Sequence, residues 1–317
     1  MIIHDEDIKR IFKENINLDI ISIKTCGHDT LRRNKVFKVT SSIEIENAFV
    51  IKFYYKHHKQ IRELNALKYY NANPLRIIAS GVYNDFDWSI YPFIEGMVMD
   101  EALKDLRPDQ SEVLFYKLGV KMAQFHKSAT FDTFGDWIPE KSSKCTSYKR
   151  FIISDTERII NNVIKHQLKP EDIFLKAIIE IRERYDNIEQ LEFSTLCHRD
   201  LDGRNILIKD IENEVDIVCF LDFEKTVRFN PSYDIINLYR KYFFNHKQLI
   251  KPFFLGYQSV SDLPNEFKSA FRFNILRMGL DIASWSQRVS MDYYNETIDY
   301  LRYIMSEEND LCMKFIE

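Results

Sequence analysis

Between two apolar stretches the chain reads LCHRDLDGRNILI (196–208). His198, Arg199, Asp200, Asp202, Arg204 and Asn205 crowd the middle of it. A second apolar run, IVCFLDFE (217–224), ends on Asp222 and Glu224. A short apolar run of this kind reads as a buried strand, and its end delivers the carboxylate to a site. Asp200, Asn205 and Asp222 then offer three oxygen-bearing side chains from two adjacent segments. Carboxylate and amide oxygens are what Mg²⁺ accepts, together with phosphate oxygens and water.

The surrounding pattern predicts the elements that hold these groups. Residues 5–15 read as a short helix. IISIKT, NKVFKVTS and NAFVIKFYY are rich in β-branched and aromatic residues and read as strands, broken at Gly27-His28-Asp29 and at 44–47. HHKQIRELNALKYYNA (57–72) reads as a helix with Ile61, Leu64, Ala66, Leu67 and Tyr70 on its apolar side, stopped by Pro74. RIIASGVY and DWSIYPFI are again strand-like, so the first part runs β-β-β-α-β-β. Beyond Gly96 the pattern turns helical. LFYKLGVKMAQFHKS is one helix. Phe174, Ile178, Ile181, Tyr185 and Ile188 make a core stripe on a second, and Phe271, Ile275, Met278, Ile282 and Trp285 on a third. The expectation is an α+β chain: a small antiparallel-sheet lobe with one helix over 1–94, then a larger, mostly helical lobe over 95–317.

The 317 residues carry a net charge of −4, which gives no pull toward nucleic acid or an anionic membrane. Five scattered cysteines without a C-x-x-C pair argue against a disulfide framework or a zinc site. No apolar run approaches the ~20 residues that span a bilayer. The acidic MIIHDEDIKRIF lacks the layout of a secretory leader. A cytoplasmic monomer or homodimer is expected.

His198-Arg199-Asp200-Leu201 and Asn205 match H-R-D-L-x-x-x-N at every fixed position, and Asp222-Phe223 follows 17 residues later. Both belong to the kinase signature set. Lys52 ends the third strand, where a kinase keeps its phosphate-binding lysine, and Glu63 lies 11 residues on in the following helix. Tyr91-Pro92-Phe93-Ile94-Glu95-Gly96 falls where sheet gives way to helix, the place of an inter-lobe hinge.

From about residue 18 to 245 the chain resembles the aminoglycoside phosphotransferase and choline kinase superfamily, which has a two-lobed protein-kinase-like fold. Asp222-Phe223-Glu224 ends in Glu where protein kinases have Gly, and no A-P-E follows. FNPSYDIINLYRKY places Pro231 and Asp234 in the family's register, and Phe125-His126 stands at its Leu-His pair. The nucleotide-covering loop keeps only Gly27, and Arg199 is more usual in protein kinases.

The resemblance implies a role for each matching residue. Asp200 would accept or orient the acceptor hydroxyl's proton. Asn205 and Asp222 would hold Mg²⁺. Lys52, held by Glu63, would bind α- and β-phosphate oxygens of ATP or GTP. Pro92, Phe93 and Ile94 would receive the base. Such an enzyme phosphorylates a hydroxyl of a small cationic molecule: an aminoglycoside or similar antibiotic first, choline, ethanolamine or an amino sugar second. A non-catalytic nucleotide-binding module is the alternative of another class, and the intact Asp200, Asn205 and Asp222 argue against it.

Asp202, Glu224, Asp281 and, more weakly, Asp292 are candidates to face a cationic acceptor. Tyr293, Tyr294, Tyr300 and Tyr303 could wall it, although packing is the plainer reading. His198 is expected to support the loop, Asp234 to cap a helix or brace the loop, and Cys197 and Cys219 to be buried. His57-His58 reads as an exposed helix start and KCTSYKR (144–150) as solvated surface.

Overall fold

A computed structural model describes residues 2–26, 34–42, 48–138, 145–211, 214–264 and 267–306. Gly27 and residues 44–47 lie outside the described residues. The chain opens with α1 (Asp5–Ile16), β1 (Ile20–Cys26), β2 (Lys35–Ser41), β3 (Ala48–Phe53), α2 (His57–Tyr69), β4 (Ala79–Tyr83) and β5 (Phe86–Pro92). The five strands make one antiparallel sheet in the order β1-β2-β3-β5-β4.

Alternation along β3 divides the sheet's faces, since successive strand side chains point to opposite sides. Phe49, Ile51 and Phe53 join Trp88 and Ile90 of β5 and the Ile8, Ile11 and Phe12 of α1 in one apolar cluster. These α1 residues recur at helical spacing, so a single stripe seals that face. Lys52 points to the other face, where α2 lies.

The expected apolar side of α2 needs correcting. Ala66, Leu67 and Tyr70 are buried, but Ile61 and Leu64 are only half-buried, while Lys59, Gln60 and Glu63 are fully buried. The first half of α2 faces a cluster of opposite charges, and a buried charge is tolerated when it is paired.

The second lobe contains β6 (Met97–Val98), α3 (Met99–Ala102), α4 (Pro108–Lys127), β7 (Thr130–Phe131), α5 (Tyr148–Lys165), α6 (Glu171–Glu183), β8 (Ser194–Cys197), β9 (Ile206–Ile211), β10 (Glu214–Phe220) and β11 (Val227–Phe229). It ends with α7 (Ser232–Leu238), α8 (Ile250–Gln258), α9 (Phe267–Ser286) and α10 (Met291–Ser306). Two three-stranded sheets, β10-β9-β6 and β11-β8-β7, are set among these helices. Residues 198–205 link one sheet to the other through β8 and β9. Residues 221–226 make the return link from β10 to β11. Both polar loops therefore hang between the same two small sheets. The architecture is the two-lobed, protein-kinase-like α+β fold.

Close helix contact fixes this lobe. Gly119 of α4 and Gly256 of α8 meet backbone to backbone, and a methyl group on either would overlap the other helix's main chain. Three other expectations change. α6 stops at Glu183, so Tyr185 sits in a 3₁₀ turn and Ile188 beyond it, although both still pack on the core. Trp285 is 36% exposed and lies against the Tyr293 ring of α10 at a tilt, 5.5 Å between centroids. In KCTSYKR, Tyr148 is buried against Phe134 and Phe229 and opens α5, with Ser147 as its cap.

Candidate active site

Lys52 leaves β3 on the face that α2 covers. Its Nζ lies 2.7 Å from Glu63 Oε2, 2.6 Å from Asp222 Oδ1 and 3.5 Å from Glu224 Oε2. Only 8% of the Lys52 side chain is exposed. Burial pushes the ammonium's pKa down, but Asp222, Glu63 and Glu224 outweigh it and hold it well above the ordinary lysine value. Burial pushes the Asp222 carboxyl up; Lys52 dominates, and the result lies below the ordinary value. For Glu63 burial wins over Lys52 and the direction is upward. Tyr54, just past β3, donates to the same Glu63 Oε2 at 3.0 Å and pairs with Tyr91 of β5 at 2.6 Å, so Lys52 and Tyr54 share that oxygen.

Glu224 faces the same cluster. It accepts from Lys59 Nζ at 2.5 Å and from the Asn34 amide. Burial raises its pKa, and Lys52 and Lys59 together bring it below the ordinary value.

Asp222 itself has φ 60° and ψ 61°. Aspartate tolerates this left-handed conformation better than most residues. The turn drops Phe223 into the core, wholly buried, with its ring 4.8 Å from that of His198 and 5.8 Å from that of Phe125. His198 Nε2 donates to the Leu221 carbonyl at 2.9 Å, which ties the two polar loops together. The supporting role expected of His198 is what its contacts provide.

The 198–205 loop is held mainly through its backbone. Asp234, buried in α7, accepts from the amide of His198 at 2.7 Å and that of Arg199 at 2.8 Å. His126 donates to the same carboxylate at 3.2 Å and is itself held by Tyr257 at 2.9 Å. Burial raises the Asp234 carboxyl, but His126, His198 and the amides bring it below the ordinary value. His126, Cys197 and Asp234 lie close enough to invite a metal reading. The His126 nitrogens and the Asp234 oxygens already serve these bonds, so the two act as a brace. Arg199 takes a left-handed φ of 63° under this grip, and its guanidinium lies over the Tyr233 ring.

Asn205 donates from Nδ2 to the Asp200 carbonyl at 2.7 Å. That bond orients the amide and leaves Oδ1 as its outward acceptor. Gly203 donates to the Tyr242 hydroxyl at 2.6 Å, which in turn bonds Asp100 at 2.5 Å. A methyl group on residue 203 would overlap both partners, so the loop needs glycine there.

The Asp200 carboxylate is 22% exposed and pairs with Lys225 Nζ at 2.8 Å. Asp222 is close enough to feel its charge. The structure thus gathers Lys52, Glu63, Asp200, Asn205 and Asp222 around one cleft.

The remaining candidates are placed differently. Asp202 is buried under its own loop, capping the Gly203–Asn205 turn and clamping Arg204 through both oxygens. Asp281 lies 3.9 Å from Arg199, and Asp292 is an exposed residue of α10. Tyr294 and Tyr300 are buried packing residues; Tyr293 is half-buried and bonds Arg240. At the hinge, β5 ends on Pro92, which has no N–H, and the Phe93 amide bonds the Ala48 carbonyl at 2.9 Å. Of the triplet, Ile94 is then the residue whose amide is left to donate.

Sequence reasoning missed Lys225, Tyr54, Lys59, Tyr242 and Asp100, and placed Tyr91 only in the hinge. Lys225 alone carried a readable signal, three positions after Asp222.

The profile of the phosphotransferase enzyme family matches residues 32–265. A search of curated proteins by sequence found no match. Among solved structures, the GDP complex of wild-type aminoglycoside 2'-phosphotransferase-IIIa superposes with a TM-score of 0.64 at 12% identity, covering 93% of this chain and 96% of that one. The gentamicin–APH(2")-IIa complex gives 0.59 at 16%, covering all of both chains. The streptomycin–ATP–APH(2")-IIa ternary complex gives 0.58 at 14%, covering 98% and 99%. At these identities the likeness is one of fold. The family match is broader in meaning, since it takes in both lobes and both polar loops. By it the chain belongs to the phosphotransferase enzyme family, and it is an enzyme that moves a phosphoryl group to a hydroxyl.

Proposed function

We propose that this chain is a Mg²⁺-dependent small-molecule kinase that transfers the γ-phosphate of ATP or GTP to a hydroxyl of an amine-bearing acceptor, an aminoglycoside or similar antibiotic in the first place. Residues 1–94 serve as the nucleotide-binding lobe and 95–317 as the catalytic and acceptor-binding lobe. The observation that carries the reading is Lys52 Nζ at 2.7 Å from Glu63 and 2.6 Å from Asp222, with Asp200 close by. Lys52 binds α- and β-phosphate oxygens, and Glu63 keeps it in place. Pro92, Phe93 and Ile94 border the base. Asp200 orients the acceptor hydroxyl and takes its proton. Phosphoryl transfer asks mainly for such alignment and charge stabilisation.

The donors suit Mg²⁺. Asn205 turns its amide nitrogen to the Asp200 carbonyl, and Lys52 bonds one oxygen of Asp222, leaving a second. The set is all oxygen, and Mg²⁺ completes its shell with water and phosphate. When bound, the ion neutralises charge on the transferring phosphate.

The similar structures bound to gentamicin and streptomycin favour an aminoglycoside. One observation favours the second reading, a metabolic kinase for a smaller acceptor such as choline, ethanolamine or an amino sugar. Asp202, Glu224 and Asp281 each face a cation of the chain itself, Arg204, Lys59 and Arg199. Paired acids hold an external polycation less well than free ones. The cytoplasm, where both nucleotides are plentiful, is the compartment this reading implies.

A nucleotide-consumption screen with ATP and GTP over aminoglycosides, other amine-bearing antibiotics, choline, ethanolamine and amino sugars tests the proposal. Acceptor-dependent turnover that disappears in Asp200→Ala is expected. An Asp200→Ala enzyme as active as wild type on a verified acceptor rules out the assigned base. Failure of wild type to bind either nucleotide rules out the reading.

A further inference from the structure

Lys225 is a cation that the proposed chemistry has not used, and it is paired with the proposed base. Its Nζ lies 2.8 Å from Asp200 Oδ1, and 37% of its side chain is exposed against 22% for Asp200. The pair is therefore neither a buried core bridge nor a loose surface contact.

Its position is built in. Phe223–Lys225 is a single 3₁₀ turn that starts from the left-handed Asp222. The turn is anchored by the buried Phe223 and closed by the Thr226 amide on the Phe223 carbonyl at 3.0 Å. β11 then pairs antiparallel with β8, Val227 opposite Cys197. That register carries the two chains past the same end of the sheet, so Lys225 and Asp200 meet where both loops leave it. Nearby, Lys52 faces three carboxylates and Arg204 faces Asp202.

Resting on the kinase reading above, we propose that Lys225 is a further catalytic residue, whose ammonium moves from Asp200 to an oxygen of the γ-phosphoryl group during transfer. A lysine side chain has the length and freedom for this exchange between neighbouring anions. In the step, the acceptor oxygen forms the new P–O bond. The bond from the γ-phosphorus to the bridging oxygen breaks, and its electron pair leaves with the nucleoside diphosphate. The acceptor's proton passes to Asp200, which the departing ammonium has uncovered. Lys225 stays protonated throughout and supplies a hydrogen bond and charge where negative charge gathers.

The test needs no acceptor. Binding of ADP and GDP with Mg²⁺ is measured calorimetrically, with and without aluminium fluoride, which mimics the phosphoryl group in transfer. Wild type should bind the diphosphate more tightly with aluminium fluoride. Lys225→Ala should bind the diphosphate alone like wild type but lose about 100-fold of that tightening. Lys225→Arg should keep part of it, and ethylamine should restore part of it to Lys225→Ala. A purely structural pair with Asp200 would instead change diphosphate binding by the same factor with and without aluminium fluoride. Equal tightening in wild type and Lys225→Ala overturns the inference, as does its absence from wild type that binds diphosphate. A wild type that binds neither diphosphate overturns the kinase reading as well.

Discussion

Lys52 and Asp222 are 170 positions apart in the chain and 2.6 Å apart in space. One comes from the third strand of the amino-terminal sheet, the other from the loop after β10 in the second lobe. Their contact joins the two halves of the cleft, and the side chains around it decide what each can do.

Removing Lys52 tests both roles of that contact. Lys52→Met should leave Glu63 and Glu224 buried without their shared cation, at a cost of about 3–5 kcal/mol. Glu63→Gln in the same chain should recover much of the stability, because the neutral amide needs no counter-charge. It should recover no activity. Urea unfolding and nucleotide turnover on the single and double variants separate the effects; turnover returning along with stability would show that Lys52 only packs.

Asp234 should behave as a positioning residue. Both oxygens of its carboxylate receive loop amides, at 2.7 and 2.8 Å. In Asp234→Asn one amide would face an NH₂ group, at a cost of about 1–3 kcal/mol. We expect kcat to fall by about tenfold or more, since a small misplacement of reacting groups is expensive, while KM for the nucleotide holds. A variant that loses nucleotide affinity but keeps kcat contradicts this assignment.

Gly203→Ala should damage the loop more than an ordinary surface change. The added methyl group meets Asp100 and the Tyr242 hydroxyl. A stability loss of about 1–3 kcal/mol, typical of overpacking, is expected, with activity lower still. Pairing it with Tyr242→Phe, which removes one obstructing atom, should recover part of the stability in thermal melts.

Acid should weaken the second lobe through Asp155. Burial raises this carboxyl, but Arg277, Arg199 and Arg158 overcome it and hold it at about 2 against the ordinary 3.8. A carboxylate depressed by folding contributes stability above its unfolded value and loses it as pH falls toward the folded one. The gap is worth about 2 kcal/mol, present above about pH 4 and gone near pH 2. Urea midpoints across that range should fall less steeply for Asp155→Asn than for wild type. Parallel slopes would mean that other carboxylates carry the acid transition.

Much of the site is local enough to read without coordinates. His198 to Asn205 form one contiguous string, and Lys52 ends a β-branched and aromatic run that reads as a strand. What stayed hidden depended on partners distant in the chain. Lys59 and Gln60 look solvated until Glu224 and the Trp88 carbonyl arrive to pair them. Tyr148 looks like surface because Phe134 and Phe229, which bury it, come from separate segments. The Phe93 amide seems free until the register sets Phe49 against Pro92 and brings in the Ala48 carbonyl. Periodicity reports which side of an element is apolar, not which polar residue will find its counter-charge.

The fastening of α2 bears on control. Glu63 bonds Lys52 from β3, Lys59 bonds Glu224, Arg62 bonds Asp136, and Asn73 just beyond the helix bonds the Phe220 carbonyl at 3.1 Å. A kinase that idles by swinging this helix outward would have to break all of these at once. The helix is thereby fastened to β3, to the 221–226 loop and to the end of β10. Amide exchange along 57–69 should accordingly be as slow in the nucleotide-free protein as in the loaded one.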